Sequence, residues 1–204
     1  MHEVTDENEL RKEFVSSIGG EDQILDCGQS LREYWPKARN KAATAFTLDI
    51  NRFDGYPDIL ADICDTQNLQ QFRETFDYVS CFSLIEHTYN PFFACQNLFS
   101  MCKSGGRIYG SAPFLFPRHS PEDLSYQDYF RFTRDSYALL FPDAKSIDLF
   151  PLRGRLATSL NVLSLRYRFI FEKKYESMAS LFSRVLSGGT HSLNSSGYGF
   201  IISK

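Results

Sequence analysis

Short apolar runs alternate with helical patterns along most of the 204 residues, and this alternation limits the possible folds more than any other feature of the chain. Asp6 and Glu9 resemble a capping box, and apolar residues then recur at helical spacing. Strands that alternate with helices form a parallel sheet with helices on both faces. We therefore predict an α/β fold with a seven-stranded, mostly parallel sheet. The predicted strands lie at 23–27, 45–50, 58–63, 77–81, 107–112, 146–150 and 198–203, and the predicted helices at about 7–18, 91–104, 133–141 and 156–186.

The length of the chain suits a single domain over residues 1–204, with an N-terminal helix within 1–20 and a helical insertion at 156–190 before the last strand. The five cysteines are odd in number and form no C-x-x-C pair, which disfavours a disulfide or zinc framework. The first twenty residues lack the apolar core of a secretory signal, and no run of about 18 uncharged apolar residues could span a membrane. We expect a cytoplasmic protein with reduced, mostly buried thiols and no transmembrane segment.

Charge is divided unevenly along the chain. Residues 1–150 hold 14 Lys and Arg against 23 Asp and Glu, whereas residues 151–204 hold 8 against 2. The net charge of −3 disfavours a nucleic-acid binder that depends on bulk charge. The basic segment at 156–186 suits a helix packed on the domain, a homodimer contact or a helix at a membrane surface, and we favour the first two. Its charge predicts an anionic acceptor or an anionic surface nearby.

Acidic residues end the first three predicted strands. Asp26 closes the first strand and is followed by Gly28, and Asp49 closes the second strand 23 residues later. Asp62 and Ile63 close the third strand. In sheets of this kind, ligands bind beyond the carboxyl ends of the strands, and an acidic residue at the end of the second strand suits hydrogen bonds to ribose hydroxyls. Each residue taken alone also suits an ordinary turn, and this interpretation stays open.

The segment from Phe76 to Gly106 carries the most specific pattern. It contains F-D-x-V, then L-x-E-H with Glu86 and His87, then a helix that begins at Asn90 and is followed by K-S-G-G. Farther along, D-Y-F-R-F-T follows the fifth predicted strand. With the strand ends, these motifs resemble the class I S-adenosylmethionine-dependent methyltransferases. More narrowly, they resemble the bacterial small-molecule type that has an E-H motif after strand four and D-Y-x-R-F-T after strand five.

The resemblance covers about residues 22–150 and the final strand, and it implies a Rossmann-like fold with S-adenosylmethionine as cofactor. It implies that the turn at Gly28 approaches the methionine part of the cofactor, where a Cβ atom would collide. It places Asp49 at the ribose and Asp62 at the adenine amino group. The residues that it implies for the cofactor pocket are Asp26, Gly28, Asp49, Asp62, Ile63 and Phe82.

His87 and His119 are the candidate general bases on the acceptor side, because histidine has an unperturbed pKa of about 6.5. His87 equally suits a structural histidine with satisfied hydrogen bonds. Arg131 suits either an anionic substrate group or a pair with Asp128, and we favour the pair because buried arginines are usually paired. The His residues and carboxylates show no metal-ligand spacing, so no metal is predicted. The residues implied for the acceptor side are Glu86, His87, His119, Tyr129 and Arg131.

The leading hypothesis is a methyltransferase that acts on a small polar acceptor, and the resemblance suggests a sugar or glycan precursor. The alternative is a catalytically degenerate methyltransferase-fold protein that serves as a binding or scaffolding module. It is motivated by Gln29 and Ser30, which replace a small residue and a second glycine in the first turn, and by Ser104, which replaces the usual proline. A nicotinamide-dependent reductase is disfavoured because no G-x-G-x-x-G follows the first strand.

Overall fold

The computed structural model describes residues 6–120, 126–152 and 195–204. The predicted helix at 156–186 and the insertion at 156–190 lie outside the described residues. The described strands are β1 (Gln23–Cys27), β2 (Thr44–Asp49), β3 (Ile59–Leu60), β4 (Phe76–Phe82), β5 (Cys102–Pro113), β6 (Ser146–Leu152) and β7 (Gly197–Ser203). The described α-helices are α1 (Glu7–Ser17), α2 (Trp35–Lys41), α3 (Thr66–Leu69), α4 (Pro91–Met101) and α5 (Ser136–Leu140), with short 3-10 helices at Arg32–Tyr34, Gln70–Phe72 and Ile85–His87.

The seven strands form one sheet in the order β3-β2-β1-β4-β5-β7-β6. Strands β1 to β5 pair in parallel, and β7 pairs antiparallel with both β5 and β6. The prediction of a seven-stranded, mostly parallel sheet is therefore confirmed. The strand order reverses between β1 and β4, and that reversal is where ligands bind in open α/β sheets.

Two hydrophobic clusters pack on opposite faces of the sheet. Ile24 of β1 belongs to the cluster with Leu10 and Phe14 of α1, whereas the next residue, Leu25, belongs to the cluster with Leu98 of α4. Successive side chains of a strand point to opposite faces. Helices therefore cover both faces, as predicted. All five cysteines are free and buried, and among the described residues no helix is long and apolar enough to cross a membrane.

Helix α1 begins where its capping pattern predicts, because the Asp6 carboxylate accepts hydrogen bonds from the Asn8 and Glu9 backbone N–H groups at 2.6 and 3.2 Å. Helix α5 differs from the prediction. It begins at Ser136 rather than near Thr133. The Thr133 backbone carbonyl accepts a hydrogen bond from the Ser136 N–H, and no side chain among the described residues caps the helix.

Two other boundaries correct the predicted ones. Strand β3 has two residues rather than six, because the Asp58 carboxylate binds the backbone N–H and hydroxyl of Thr47 at 2.8 and 2.7 Å where a strand pair would continue. Helix α4 ends at Met101, so the two glycines predicted to end it lie within β5. Phe93 stands among the apolar residues of α4 but is 48% exposed. Helices α2 and α3 were not predicted.

Candidate functional site

A cavity of about 830 Å³ opens at the carboxyl ends of β1, β2, β4 and β5, beside the reversal in strand order. It brings together nine of the eleven residues that the sequence singles out. Asp26 and Arg131 do not line it, and their side chains bind other residues behind its wall. The nine that line it are Gly28, Asp49, Asp62, Ile63, Phe82, Glu86, His87, His119 and Tyr129.

The turn after β1 is organised around the buried carboxylate of Asp26. This carboxylate accepts hydrogen bonds from the Ser30 hydroxyl at 2.6 Å, the Ser80 hydroxyl at 2.7 Å and the Leu31 backbone N–H at 3.1 Å. Burial raises the Asp26 pKa to about 6, against the lowering effect of these donors. Gly28 has a φ of +71°, and a Cβ atom there would lie 2.9 Å from a Leu84 methyl group. The turn therefore requires glycine at this position.

The end of β2 is connected to the same turn through one tyrosine. The Asp49 carboxylate accepts hydrogen bonds from the Asn51 backbone N–H at 2.8 Å and from the Tyr56 hydroxyl at 3.3 Å. The Tyr56 hydroxyl also accepts from the Gln29 backbone N–H at 3.0 Å. Burial, and then the charge of Asp49, raise the pKa of Tyr56. Tyr56 therefore stays a neutral donor that holds the ends of β1 and β2 together.

The segment after β3 forms the next part of the wall. The Asp62 carboxylate accepts a hydrogen bond from the Cys64 backbone N–H at 2.8 Å, which makes a tight turn directly after the strand. Asn97 of α4 donates to the Ile63 carbonyl at 2.8 Å. The turn is thus fixed at both ends, and its Asp62 and Ile63 face the cavity.

Helix α1 contributes polar side chains that the sequence interpretation missed. The Glu7 carboxylate accepts hydrogen bonds from the Ser111 and Ser83 hydroxyls at 2.7 and 3.2 Å. Arg11 is buried, pairs with Glu7 at 2.8 Å and lies over the Phe82 ring at 4.8 Å. The sequence contained a signal for this role of Arg11. The residue lies on the apolar stripe of the helix, where a buried charge needs a partner.

Glu86 and two histidines form the opposite wall. The Glu86 side chain is 0% exposed, and neither of its oxygens has a hydrogen-bond partner among the described residues. The Nε2 atoms of His119 and His87 lie 3.6 and 3.7 Å from Glu86 Oε1. The contact with Glu86, with a smaller effect of Asp128, raises the pKa of His119.

The Nδ1 atoms of both histidines are held from outside the cavity. His87 Nδ1 lies 3.0 Å from the Gln127 carbonyl, and because a carbonyl only accepts, this nitrogen carries the proton in that contact. His119 Nδ1 lies 3.2 Å from the Asp128 carboxylate and 3.3 Å from the Pro117 carbonyl. Both Nε2 atoms are therefore directed toward Glu86.

The D-Y-F-R-F-T segment braces this wall. Arg131 pairs with Asp128 through both carboxylate oxygens, the second at 2.7 Å, and its guanidinium also donates to the Pro117 carbonyl at 3.1 Å. Arg131 lowers the Asp128 pKa to about 2. The structure thus contains the pairing favoured from the sequence. Tyr129, 52% exposed at the cavity mouth, donates its backbone N–H to the Glu86 carbonyl at 2.9 Å.

No protein-family model matches the chain, and no curated protein sequence matches it significantly. Solved structures do match. An S-adenosylmethionine-dependent methyltransferase from Archaeoglobus fulgidus is 13% identical, with a TM-score of 0.57 over 95% of this chain and 90% of that one. Phosphoethanolamine N-methyltransferase 2 of Haemonchus contortus, in complex with S-adenosyl-L-methionine, is 15% identical, with a TM-score of 0.58 over 97% of this chain and 51% of that one.

The same fold also occurs in a protein described by another reaction. The 4+2 cyclase SpnF is 11% identical, with a TM-score of 0.56 over 96% of this chain and 80% of that one. At such identities the similarity concerns the fold, and function has to be argued from the site. The chain has the Rossmann-like fold of the S-adenosylmethionine-dependent methyltransferases.

Proposed function

We propose that the protein is an S-adenosylmethionine-dependent methyltransferase that acts on a small polar acceptor. One observation carries this proposal. A single cavity joins the acidic ends of β2 and β3 to the cluster of Glu86, His87 and His119. One wall then suits a polyhydroxylated, cationic cofactor, and the other suits proton transfer beside the acceptor.

The cofactor would lie across the ends of β1, β2 and β3. Asp49 would accept hydrogen bonds from the ribose hydroxyls, since the donors it already has leave lone pairs of its carboxylate available. Asp62 and Ile63 would bound the adenine, and the Gly28 backbone would approach the methionine part. Asp26 would act through the turn, because its buried carboxylate binds Ser30 and Ser80 rather than lining the cavity.

Methyl transfer is a direct displacement in which the sulfonium S–CH₃ bond breaks as the acceptor O–CH₃ or N–CH₃ bond forms. The protein would contribute in-line placement in a pocket that excludes water. A hydroxyl acceptor would pass its proton to His119 or His87, whose Nε2 atoms face the cavity when Nδ1 is held from behind. The raised pKa of His119 favours it as the group that retains the proton.

The acceptor class and the location belong to the same proposal. The resemblance supports a sugar or glycan precursor, and the excess of Lys and Arg over residues 151–204 supports an anionic one. The basic segment at 156–186 could equally form a homodimer contact. A cytoplasmic location is supported by five free, buried cysteines, which suit a reducing compartment.

Calorimetric titration of the full chain with S-adenosylmethionine and with its demethylated product tests the cofactor site. We expect one cofactor per chain, and a loss of about 10- to 100-fold in affinity for Asp49→Ala, since hydrogen bonds to a charged group contribute about 1.5–3 kcal/mol. Asp54→Ala is the matched control, because Asp54 is exposed in the same loop and does not line the cavity.

The outcomes distinguish the two hypotheses. Transfer of a labelled methyl group to a sugar or sugar phosphate would support the enzyme. Binding of cofactor without transfer to any of a panel of acceptors would favour the degenerate binding module. If calorimetry detects no binding at millimolar S-adenosylmethionine, the hypothesis of a methyltransferase is excluded.

A further inference from the structure

Glu86, His87 and His119 place three potential ligand atoms within 4.8 Å of one another at one end of the cavity. The Glu86 carboxylate is fully buried, and neither oxygen has a hydrogen-bond partner among the described residues. A buried carboxylate without donors is costly, and native proteins rarely contain one unless a charged group or a ligand compensates it. This orphaned carboxylate indicates that a cation belongs beside it.

We propose that Glu86, His87 and His119 bind a divalent first-row transition metal. One carboxylate and two imidazoles form a donor set that suits Zn²⁺, Fe²⁺, Mn²⁺ or Co²⁺, and three protein ligands leave coordination positions open for a substrate. Those open positions would face the cavity, which the three residues line. This proposal revises the sequence prediction of no metal, because the spacing of 32 residues between His87 and His119 hides their proximity.

The separations of Glu86 Oε1 from the two histidine nitrogens suit a metal ion, whereas the two histidine nitrogens, which lie within 4.8 Å of each other, have to move closer as the ion binds. Glu86 Oε1 lies 3.6 Å from His119 Nε2 and 3.7 Å from His87 Nε2. Two ligand atoms that each lie about 2.1 Å from an ion at the tetrahedral angle are about 3.4 Å apart. These contacts are too long for hydrogen bonds but need to shorten by only a few tenths of an ångström around an ion.

The outer contacts of the two histidines support the same conclusion. Metal-binding histidines almost always donate the other ring N–H to a carbonyl or carboxylate, which fixes the ring and its tautomer. His87 Nδ1 contacts the Gln127 carbonyl, and His119 Nδ1 contacts the Asp128 carboxylate. Arg131 in turn holds Asp128. Both rings therefore present Nε2 to Glu86, as ligands of one ion would.

The metal site rests on the proposed methyl transfer for its chemical role. An acceptor hydroxyl on an open coordination position would lose its proton to water more readily, since the ion stabilises the alkoxide. The alkoxide oxygen would then attack the cofactor methyl group as the sulfonium bond breaks. In that form the two histidines are ligands rather than bases. The acceptor class narrows to hydroxyl compounds, among which a vicinal diol could occupy two positions.

Metal binding is tested without cofactor or acceptor. The full chain is stripped with a chelator, and Zn²⁺, Mn²⁺ and Co²⁺ are titrated separately by calorimetry, with visible d–d absorption recorded for Co²⁺. We expect one ion per chain, and an affinity at least about 100-fold lower for Glu86→Gln and His119→Ala. Glu21→Gln is the matched control, because Glu21 is exposed in the turn before β1.

Circular dichroism and urea unfolding of each variant show whether it retains its fold. Equal binding by wild type and Glu86→Gln, or no binding by folded wild type, would overturn the metal site. In that case a protonated His119, rather than a metal ion, would compensate the charge of Glu86. Cofactor titration of the stripped protein separates the two proposals. Cofactor binding without metal binding would support the methyltransferase and exclude the metal site. Metal binding without cofactor binding would support the metal site alone.

Discussion

Two buried carboxylates stand at neighbouring strand ends, and their surroundings are opposite. Asp26, after β1, is 1% exposed and accepts hydrogen bonds from Ser30, Leu31 and Ser80. Glu86, after β4, is equally buried, but its oxygens have no hydrogen-bond partner within the described part of the chain. A buried acid with a full set of donors organises its own turn, whereas one without donors keeps its binding capacity for something else.

The difference divides the cavity into a structural wall and a reactive wall. On the structural wall, the carboxylates of Asp26 and Asp49 are tied into turns by backbone and hydroxyl donors. On the reactive wall, Asp128 is tied to Arg131, and it holds His119 so that the inner nitrogen of the ring is directed at Glu86. The contrast therefore concerns Glu86 alone among the carboxylates at these strand ends.

The contrast predicts unequal effects of truncation on stability. At pH 5, Asp26→Ala should lower the free energy of unfolding by about 4 kcal/mol, since it leaves the Ser30 hydroxyl and the Leu31 N–H without an acceptor at about 1–3 kcal/mol each and leaves the Ser80 hydroxyl only the Leu25 carbonyl at 3.4 Å. Glu86→Ala should change it by no more than about 1 kcal/mol, because no hydrogen bond is lost. Urea unfolding of the chelator-treated protein, followed by circular dichroism, measures both. Equal losses would remove the distinction between the two walls.

The pH dependence of stability tests the cost of burying Asp26. Because burial raises its pKa from 3.8 to about 6, the native state binds more protons than the unfolded chain between these values, so stability falls as the pH rises from 4 to 6. Over its whole range, from below pH 3.8 to above pH 6, the fall corresponds to about 3 kcal/mol. The Asp26→Asn variant should lack this contribution, and the difference between its unfolding free energy and that of wild type gives it directly. Parallel curves across this range would contradict the prediction.

Asp128 shows the opposite shift, because its pKa is lowered rather than raised. Arg131 lowers its pKa to about 2, so its stabilising contribution is present above pH 4 and is lost as the pH falls toward 2. Arg131→Ala should lower the free energy of unfolding at pH 7 by about 2 kcal/mol, since a carboxylate whose side chain is 0% exposed loses its main partner. Arg131→Lys should retain part of this, because lysine keeps the charge but not the two-pronged geometry. Lys and Ala variants of equal stability would assign the effect to the two-pronged geometry rather than to the charge.

The sequence predicts the sheet and most of the structural wall for one physical reason. Strand ends in a parallel sheet meet at one edge, so local patterns ending in Asp49 and Asp62 locate that wall without any long-range information. Boundaries set by side-chain contacts were not predictable in this way. The two-residue β3 depends on Asp58 reaching Thr47, and no local propensity encodes that contact.

The reactive wall depends on contacts between distant parts of the chain. Glu86 lies beside His119, and Asp128, which Arg131 holds, contacts His119 from the other side. The motifs identify these residues as candidates, and the pairing of Arg131 was the favoured interpretation. The sequence does not predict that both histidines are directed toward a carboxylate without donors. It also does not predict that Arg11 of the N-terminal helix lines the cavity.

The smallest predicted effect concerns the link between the first two strand ends. The Tyr56 hydroxyl donates to Asp49 at 3.3 Å and accepts from the Gln29 backbone N–H at 3.0 Å. Tyr56→Phe therefore removes one hydrogen bond at the end of β2 and one in the turn after β1. The turn keeps the hydrogen bonds of Asp26, and a single hydrogen bond contributes about 1 kcal/mol. Affinity for S-adenosylmethionine should therefore fall only about fivefold by calorimetry, with Tyr34→Phe, outside the cavity, unchanged. A loss as large as that for Asp49→Ala would mean that Tyr56, rather than Asp26, holds the structural wall in its binding geometry.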